Sequence, residues 1–169
     1  MRLLIISDTH GDEQTFKRVV LREDPDQIIH CGDFCIAVER LPQPEILTVV
    51  RGNCDRPGVP DEALWEGAGL RFLVAHGHQY GIKSSLVQLS YRAEEVAANV
   101  VCFGHSHLPQ CVARGGALFI NPGSLVAPRG FPEPTYAVLE AESGKVKVAY
   151  FTPEGERVNE LGGTFRLKK

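Results

Sequence analysis

The stretch Leu3-Leu4-Ile5-Ile6-Ser7-Asp8-Thr9-His10-Gly11-Asp12 changes character at its midpoint. Its first half is a short continuous run of leucine and isoleucine, the pattern of a strand buried on both faces. A carboxylate, a hydroxyl and an imidazole then appear in succession, followed by glycine. Asp12 reads as an N-cap, Glu13 puts negative charge in a first helical turn, and Phe16, Val19 and Val20 recur at helical spacing before Pro25 forbids continuation. The unit is strand, polar loop, helix, which is the building block of an α/β architecture.

Working outward, further strands are expected at 27–30, 46–50, 71–75, 99–103 and 117–120, mostly joined through loops rich in glycine and proline. The segment 82–98 reads as one or two helices, and 43–45 and 131–134 as loops. Segments 135–140 and 145–151 flank a Glu142-Ser143-Gly144 turn, and Val146, Val148 and Tyr150 alternate with Lys145, Lys147 and Ala149, so an antiparallel hairpin is expected there. With 169 residues, 43% of them hydrophobic, the chain can build a real core. A single layered α/β domain over 1–169 is the expectation.

The composition excludes several functions. Eighteen Lys and Arg against 21 Asp and Glu give a net charge of −3, which gives no sign of binding to nucleic-acid polymers. The basic tail 166–169 is too short to change that. No apolar run approaches the roughly 18 residues of a membrane span, and Leu3 to Ile6 is too short for a signal-peptide core. A soluble cytoplasmic protein with no membrane partner is expected, and homo-oligomerisation is left open. The cysteines, Cys31, Cys35, Cys54, Cys102 and Cys111, are odd in number and contain no Cys-x-x-Cys, so buried, reduced thiols are expected rather than disulfides or a zinc knuckle. Phe16, Phe72, Phe103 and Phe119 are expected in the core.

The polar residues carry the chemistry. Asp8 and His10 follow the first strand, His30 and Asp33 the second, Asn53 and Asp55 the third, His76 and His78 the fourth, and His105 and His107 the fifth. Loops beyond the carboxyl ends of strands converge on one crevice in open α/β sheets. Gly11, Gly32, Gly52, Gly77 and Gly104 are expected to permit the tight turns involved. Imidazole, carboxylate and carboxamide together suit divalent first-row metals, and the supply exceeds what one ion needs. Two ions roughly 3.5–4 Å apart, sharing a carboxylate and holding a hydroxide, stabilise the attacking and leaving oxygens of an in-line displacement. Two Asp ligands against two dications leave +2, and a hydroxide lowers this to +1, which complements a phosphodiester. Phosphoester hydrolysis is the expected reaction.

The order Asp8-Thr9-His10, Gly32-Asp33, Gly52-Asn53-Cys54-Asp55, His76-Gly77-His78 and Gly104-His105-Ser106-His107 resembles the calcineurin-like metallophosphoesterase superfamily. It is most similar to the small YfcE and MJ0936 type phosphodiesterases, from Met1 through Asn121-Pro122-Gly123-Ser124. The resemblance implies a two-sheet β-sandwich flanked by helices and a metal-dependent phosphoric diester hydrolase acting on a small phosphodiester. It implies that Asp8, His10, Asp33 and His107 hold one metal, that Asp33 bridges, and that Asn53, His76 and His105 complete the second site. Manganese is the expected metal, with iron, nickel or zinc as alternatives. Asp33, Asn53 and His76 also form the expected catalytic set, joined by Asp55, which orients the Asn53 loop, and His78, which is placed to contact substrate. His30 is expected to buttress a ligand, and Arg129 and Lys83 to be solvated loop residues. The superfamily pattern has histidine after the asparagine, where this chain carries Cys54. The alternative is a non-catalytic scaffold of the VPS29 kind, in which missing ligands are expected; here all seven positions are filled. A metallo-β-lactamase reading of His105-Ser106-His107 fails because Leu108 and Pro109 follow.

Overall fold

The computed structural model describes residues 1–142 and 144–167. Among the described residues eleven strands form two mixed sheets. The first contains β1 (Arg2–Ile6), β2 (Gln27–His30), β3 (Leu47–Val49), β9 (Tyr136–Glu142), β10 (Lys145–Phe151) and β11 (Arg157–Arg166), in the order β11-β10-β9-β1-β2-β3. The second contains β4 (Glu62–Gly67), β5 (Leu70–Ala75), β6 (Val100–Cys102), β7 (Gln110–Arg114) and β8 (Ala117–Asn121), in the order β4-β5-β6-β8-β7. The strands β1, β2 and β3 run parallel, as do β5, β6 and β8.

The alternation of side chains explains the layers. Leu3 and Ile5 of β1 face inward, where they share one core with Phe72 and Val74 of β5 and Leu118 and Ile120 of β8. Leu4 and Ile6 face outward against Phe16, Val19 and Val20 of helix α1 (Glu13–Glu23). On the second sheet Leu73, Ala75 and Val101 face outward against Leu89 and Ala93 of helix α2 (Val87–Glu95). The result is the α/β sandwich flanked by helices that the sequence and its resemblance anticipate. All four anticipated core phenylalanines, Phe16, Phe72, Phe103 and Phe119, are buried. Among the described residues no helix is long and apolar enough to cross a membrane.

Helix α1 starts as expected: the Asp12 side chain accepts from the Thr15 N–H at 3.0 Å. Asp24 in the left-handed region ends the helix before Pro25. Helix α2 is shorter than the 82–98 expected. Ser84 and Ser85 favour turns over helix interior, and the Ser85 hydroxyl accepts from the Val87 N–H at 3.1 Å, so the helix begins only there. Three strands are additions to the sequence reading: β4, β7 and β11. Each lies at a sheet edge. Edge strands bury little, so their apolar alternation is diluted by polar residues. Residues Ser143, in the anticipated hairpin turn, and Lys168 and Lys169, in the basic tail, lie outside the described residues.

Candidate metal centre

Three parallel strands of the first sheet and two of the second lead into loops that meet at one place. The loops after β1, β2 and β3 deliver Asp8 and His10, Asp33, and Asn53; those after β5 and β6 deliver His76, and His105 and His107. Backbone hydrogen bonds lock these loops together: Asp8 N–H to Gly32 O, His10 N–H to Asp33 O, and Gly104 N–H to His76 O, each at 3.0 Å. Asp8, His10, Asp33, His105 and His107 all have positive φ, between 42° and 66°. Such conformations are unfavourable for non-glycine residues and persist where the surroundings enforce them, often at functional sites.

Two ligand groups meet here. In the first, the fully buried Asp8 carboxylate uses Oδ2 to accept from the Ser7 hydroxyl at 2.6 Å and the His105 N–H at 3.1 Å. Its Oδ1 is buried with no hydrogen-bond partner. Around that oxygen stand the Nε2 atoms of His107 at 3.1 Å, His10 at 3.9 Å and His76 at 4.0 Å. The Nε2 atoms of His10 and His107 face each other at 3.2 Å. In the second, Asp33 Oδ1 accepts from the Cys54 N–H at 2.8 Å, which leaves Oδ2 3.4 Å from His76 Nε2. Asn53 Oδ1 lies 3.2 Å from the same nitrogen. Asp8 is common to the groups Asp8, His10, His107 and Asp8, Asp33, His76, whereas Asp33, expected as the shared ligand, falls in one.

Two of the imidazoles have their tautomer set from behind. His76 Nδ1 lies 2.7 Å from Cys31 O and His107 Nδ1 lies 2.6 Å from Ala127 O. A carbonyl only accepts, so Nδ1–H donates and the Nε2 lone pair of the neutral ring is turned into the site. The charges are coupled as well. Burial alone would raise Asp8, but the nearby His107 and His76 and the Ser7 hydroxyl outweigh it and hold the carboxyl low. Asp33 is likewise held low against its burial by His76 and the Cys54 N–H. Burial opposes charge on His76, yet Asp33 and Asp8 raise it. Asp8 raises His107. Both carboxylates are therefore anionic and aimed at ring nitrogens, an arrangement that a cation completes.

The remaining expected residues fall around these groups. The His105 ring stands 5.1 Å from that of His76, centroid to centroid, and burial pushes it down to about 4. His78 packs 5.4 Å from His76, and its Nδ1 is buried without a partner. His30 lies wholly beneath the site, where its Nδ1 accepts from the Gly32 N–H at 3.1 Å and its Nε2 meets the Thr9 hydroxyl at 3.0 Å. Asp55 sits among the backbone N–H groups of these loops. Oδ2 accepts from the N–H groups of Asp33 and Gly52, and Oδ1 from that of Cys35, so both oxygens are committed to backbone. It ties the loop after β2 to the loop that carries Asn53. The cysteines are a correction to the expectation of buried thiols: Cys31 and Cys102 are buried and Cys111 half-buried, but Cys35 and Cys54 are exposed because they sit on the loops of the centre.

Sequence reasoning missed Ser7 and Ser124 as supports. The Ser124 hydroxyl donates to Asp8 O at 2.8 Å, and Asn121 Nδ2 donates to Gly104 O at 2.9 Å. The Asn121-Pro122-Gly123-Ser124 signature was the available signal for them. Gly52 and Gly104 also serve a different purpose from the turns expected. A Cβ at Gly52 would lie 2.1 Å from Asp33 Oδ1, and one at Gly104 would lie 1.9 Å from Ser7 Oγ. Close approach to the two carboxylate arms, not positive φ, requires glycine there.

A two-sheet sandwich gathers carboxylate, imidazole and amide donors at its strand ends, a set that suits a divalent cation. The chain belongs to the calcineurin-like phosphoesterase superfamily, whose domain model matches residues 1–144. It is 41% identical over 164 residues to the probable metallophosphoesterase YsnB of Bacillus subtilis, covering 95% of this chain and 96% of that protein. It is 27% identical over 168 residues to the phosphodiesterase YfcE of Escherichia coli, covering 83% and 88%. The crystal structure of a predicted phosphoesterase from Streptococcus pneumoniae superposes with a TM-score of 0.89 at 31% identity, over 97% of this chain and 96% of that one. Vps29 of Chaetomium thermophilum has a TM-score of 0.78 at 17% identity, over 99% and 98%, a likeness of fold alone.

Proposed function

We infer that this chain is a metal-dependent phosphodiesterase that holds two divalent ions among Asp8, His10, Asp33, Asn53, His76, His105 and His107. The observation that carries this reading is the buried Asp8 Oδ1, which lacks a hydrogen-bond partner and faces three imidazole Nε2 atoms. An unpaired buried carboxylate oxygen is costly in an ordinary core. Two ions there, when bound, supply an ionised water as nucleophile and positive charge for the attacking and leaving oxygens. The chain's own residues prepare this. Ser7, the His105 N–H and the Cys54 N–H each anchor one oxygen of a carboxylate and leave the other to face inward. Cys31 and Ala127 carbonyls fix ring orientation. Asn53 adds an oxygen without charge, keeping the site matched to a singly charged diester. His78, beside His76, is placed to meet the substrate.

Manganese suits this mixed oxygen and nitrogen set, as do iron, nickel and zinc. The names of YsnB and YfcE support a phosphoesterase and, more narrowly, a phosphodiesterase. Five unpaired cysteines support a reducing, cytoplasmic setting. The core shared by both sheets supports one domain. The test is metal analysis of the manganese-saturated chain together with kcat/KM on an activated aryl diester. Two ions and turnover are expected, with Asp8→Asn, at the carboxylate common to both groups, losing both, Asp33→Asn losing turnover and the ion of its own group, and His105→Ala and His107→Ala losing turnover while keeping a native circular-dichroism spectrum. Saturation with one ion overturns the dinuclear reading, near-normal turnover in both histidine variants removes those residues from the machinery, and no turnover by the metal-loaded wild type favours the scaffold.

A further inference from the structure

Cys35 and Cys54 stand on different loops, one after β2 and one after β3, and both are exposed. Neither belongs to the ligand set above. Cys35 Sγ lies 3.6 Å from His10 Nδ1, the ring nitrogen turned away from Asp8. Ligand atoms of His10, Cys35 and Cys54 all fall within 4.8 Å of one another. A tetrahedral ion with nitrogen at about 2.0–2.1 Å and sulfur at about 2.3 Å holds those atoms about 3.5–3.6 Å apart. The His10–Cys35 pair already has that spacing.

We propose that His10, Cys35 and Cys54 form a separate site for a thiophilic divalent cation of the zinc and cadmium class, and that its occupation withdraws His10 from Asp8. Thiolates select soft and borderline ions, while the mixed oxygen and nitrogen set next door also takes harder ones such as manganese. Two carboxylates stand beside the thiols and favour a cation there: Asp55 Oδ1 accepts the Cys35 N–H and Asp33 Oδ1 the Cys54 N–H. On binding, each thiol releases one proton to solvent and gives a sulfur lone pair to the ion, which keeps its charge of +2. His10 contributes the Nδ1 lone pair. A neutral imidazole has only one such pair, so its proton then sits on Nε2 and the Asp8 set loses a donor. The fourth position is left to solvent at the mouth of a cavity of about 510 Å³, where Cys35 and Cys54 meet Phe34, Ile36 and Val59.

The test is a cobalt(II) titration of reduced protein whose free thiols have been counted beforehand. Cobalt held by carboxylate, imidazole and amide shows weak ligand-field bands, whereas a thiolate ligand adds an intense sulfur-to-cobalt charge-transfer band in the near ultraviolet. That band is expected in the wild type, at half its intensity or less in Cys35→Ser and in Cys54→Ser, and absent from the double variant. Buried Cys31 and Cys102 and half-buried Cys111 offer no replacement pair. This arm stands whether or not the chain hydrolyses diesters. In a second arm, cadmium added to manganese-loaded wild type is expected to release manganese, read as free Mn(II) by electron paramagnetic resonance, at a concentration that releases none from Cys35→Ser. No charge-transfer band at saturating cobalt, a band of undiminished intensity in either serine variant, or equal manganese release from the two proteins overturns the proposal.

Discussion

Asp55 holds Asp33 from behind: the Asp33 backbone N–H donates to Asp55 Oδ2 at 2.7 Å. The same oxygen takes the Gly52 N–H at 2.8 Å, and Oδ1 takes the Cys35 N–H at 2.7 Å. One carboxylate thus stitches the loop after β2 to the loop after β3 and sets the separation of Asp33 from Asn53. Asp55→Ala leaves three N–H groups without their acceptor. Manganese affinity is expected to fall about 10- to 100-fold, as for other residues that orient ligands, with Asp55→Asn intermediate because it keeps one acceptor oxygen. Calorimetric titration reads this directly, and unchanged affinity in Asp55→Ala would sink the idea.

Gly104 is required by contact. Its added Cβ would lie 1.9 Å from Ser7 Oγ and 2.7 Å from Asp8 Oδ2. Gly104→Ala is expected to lose about 1–3 kcal/mol of stability through overpacking and to weaken metal binding by moving Asp8. Adding Ser7→Ala removes the closest clash, so the double variant should recover part of the stability in urea unfolding. If the two substitutions destabilise additively, the clash is not the cause.

His30 makes stability depend on acid. Burial pushes it from its ordinary 6.5 down to about 4. For a depressed histidine the unfolded chain takes up the proton first. Its contribution is therefore present above 6.5 and lost as pH falls from there toward about 4. His30→Asn retains an acceptor for the Gly32 N–H and does not titrate, so its urea midpoint should decline less across this window. Parallel slopes for the two proteins would show that other groups set the acid limb.

Cys54 bears on the leaving group. A thiol is a weak donor and lacks the imidazolium charge of the superfamily histidine. With Asp55 committed to backbone, the chain has little help for a basic alkoxide. The wild type is expected to cleave activated aryl diesters far better than unactivated alkyl diesters or monoesters. Cys54→His should narrow the gap by up to the roughly 10²- to 10⁴-fold typical of general acids. The readout is kcat/KM across diesters graded by leaving-group pKa. A shallow wild-type dependence with rate-limiting chemistry would mean that another group supplies the proton, and His78, whose Nδ1 is unpartnered, is first to examine.

Much of this was legible before any coordinates. The strand β1 and helix α1 announce themselves because burial on both faces, or on one helical stripe, writes a local period into the chain. Asp8, Asp33, Asn53, His76 and His105 were legible for a related reason: each directly follows an apolar run, and the carboxyl ends of parallel strands share one edge. The edge strands β4, β7 and β11 were not, since a strand with one free flank needs no apolar period. Nor was the division of labour among carboxylates. Asp8 and Asp55 look alike along the chain, yet one has a free oxygen among three imidazoles and the other has none. The pairing of Asp8 with His107 and of Cys35 with His10 spans residues far apart in sequence. Local pattern encodes which side chains are buried, whereas the last ångström between loops is decided by how two sheets pack, and only that distance separates a ligand from a hydrogen-bonded support.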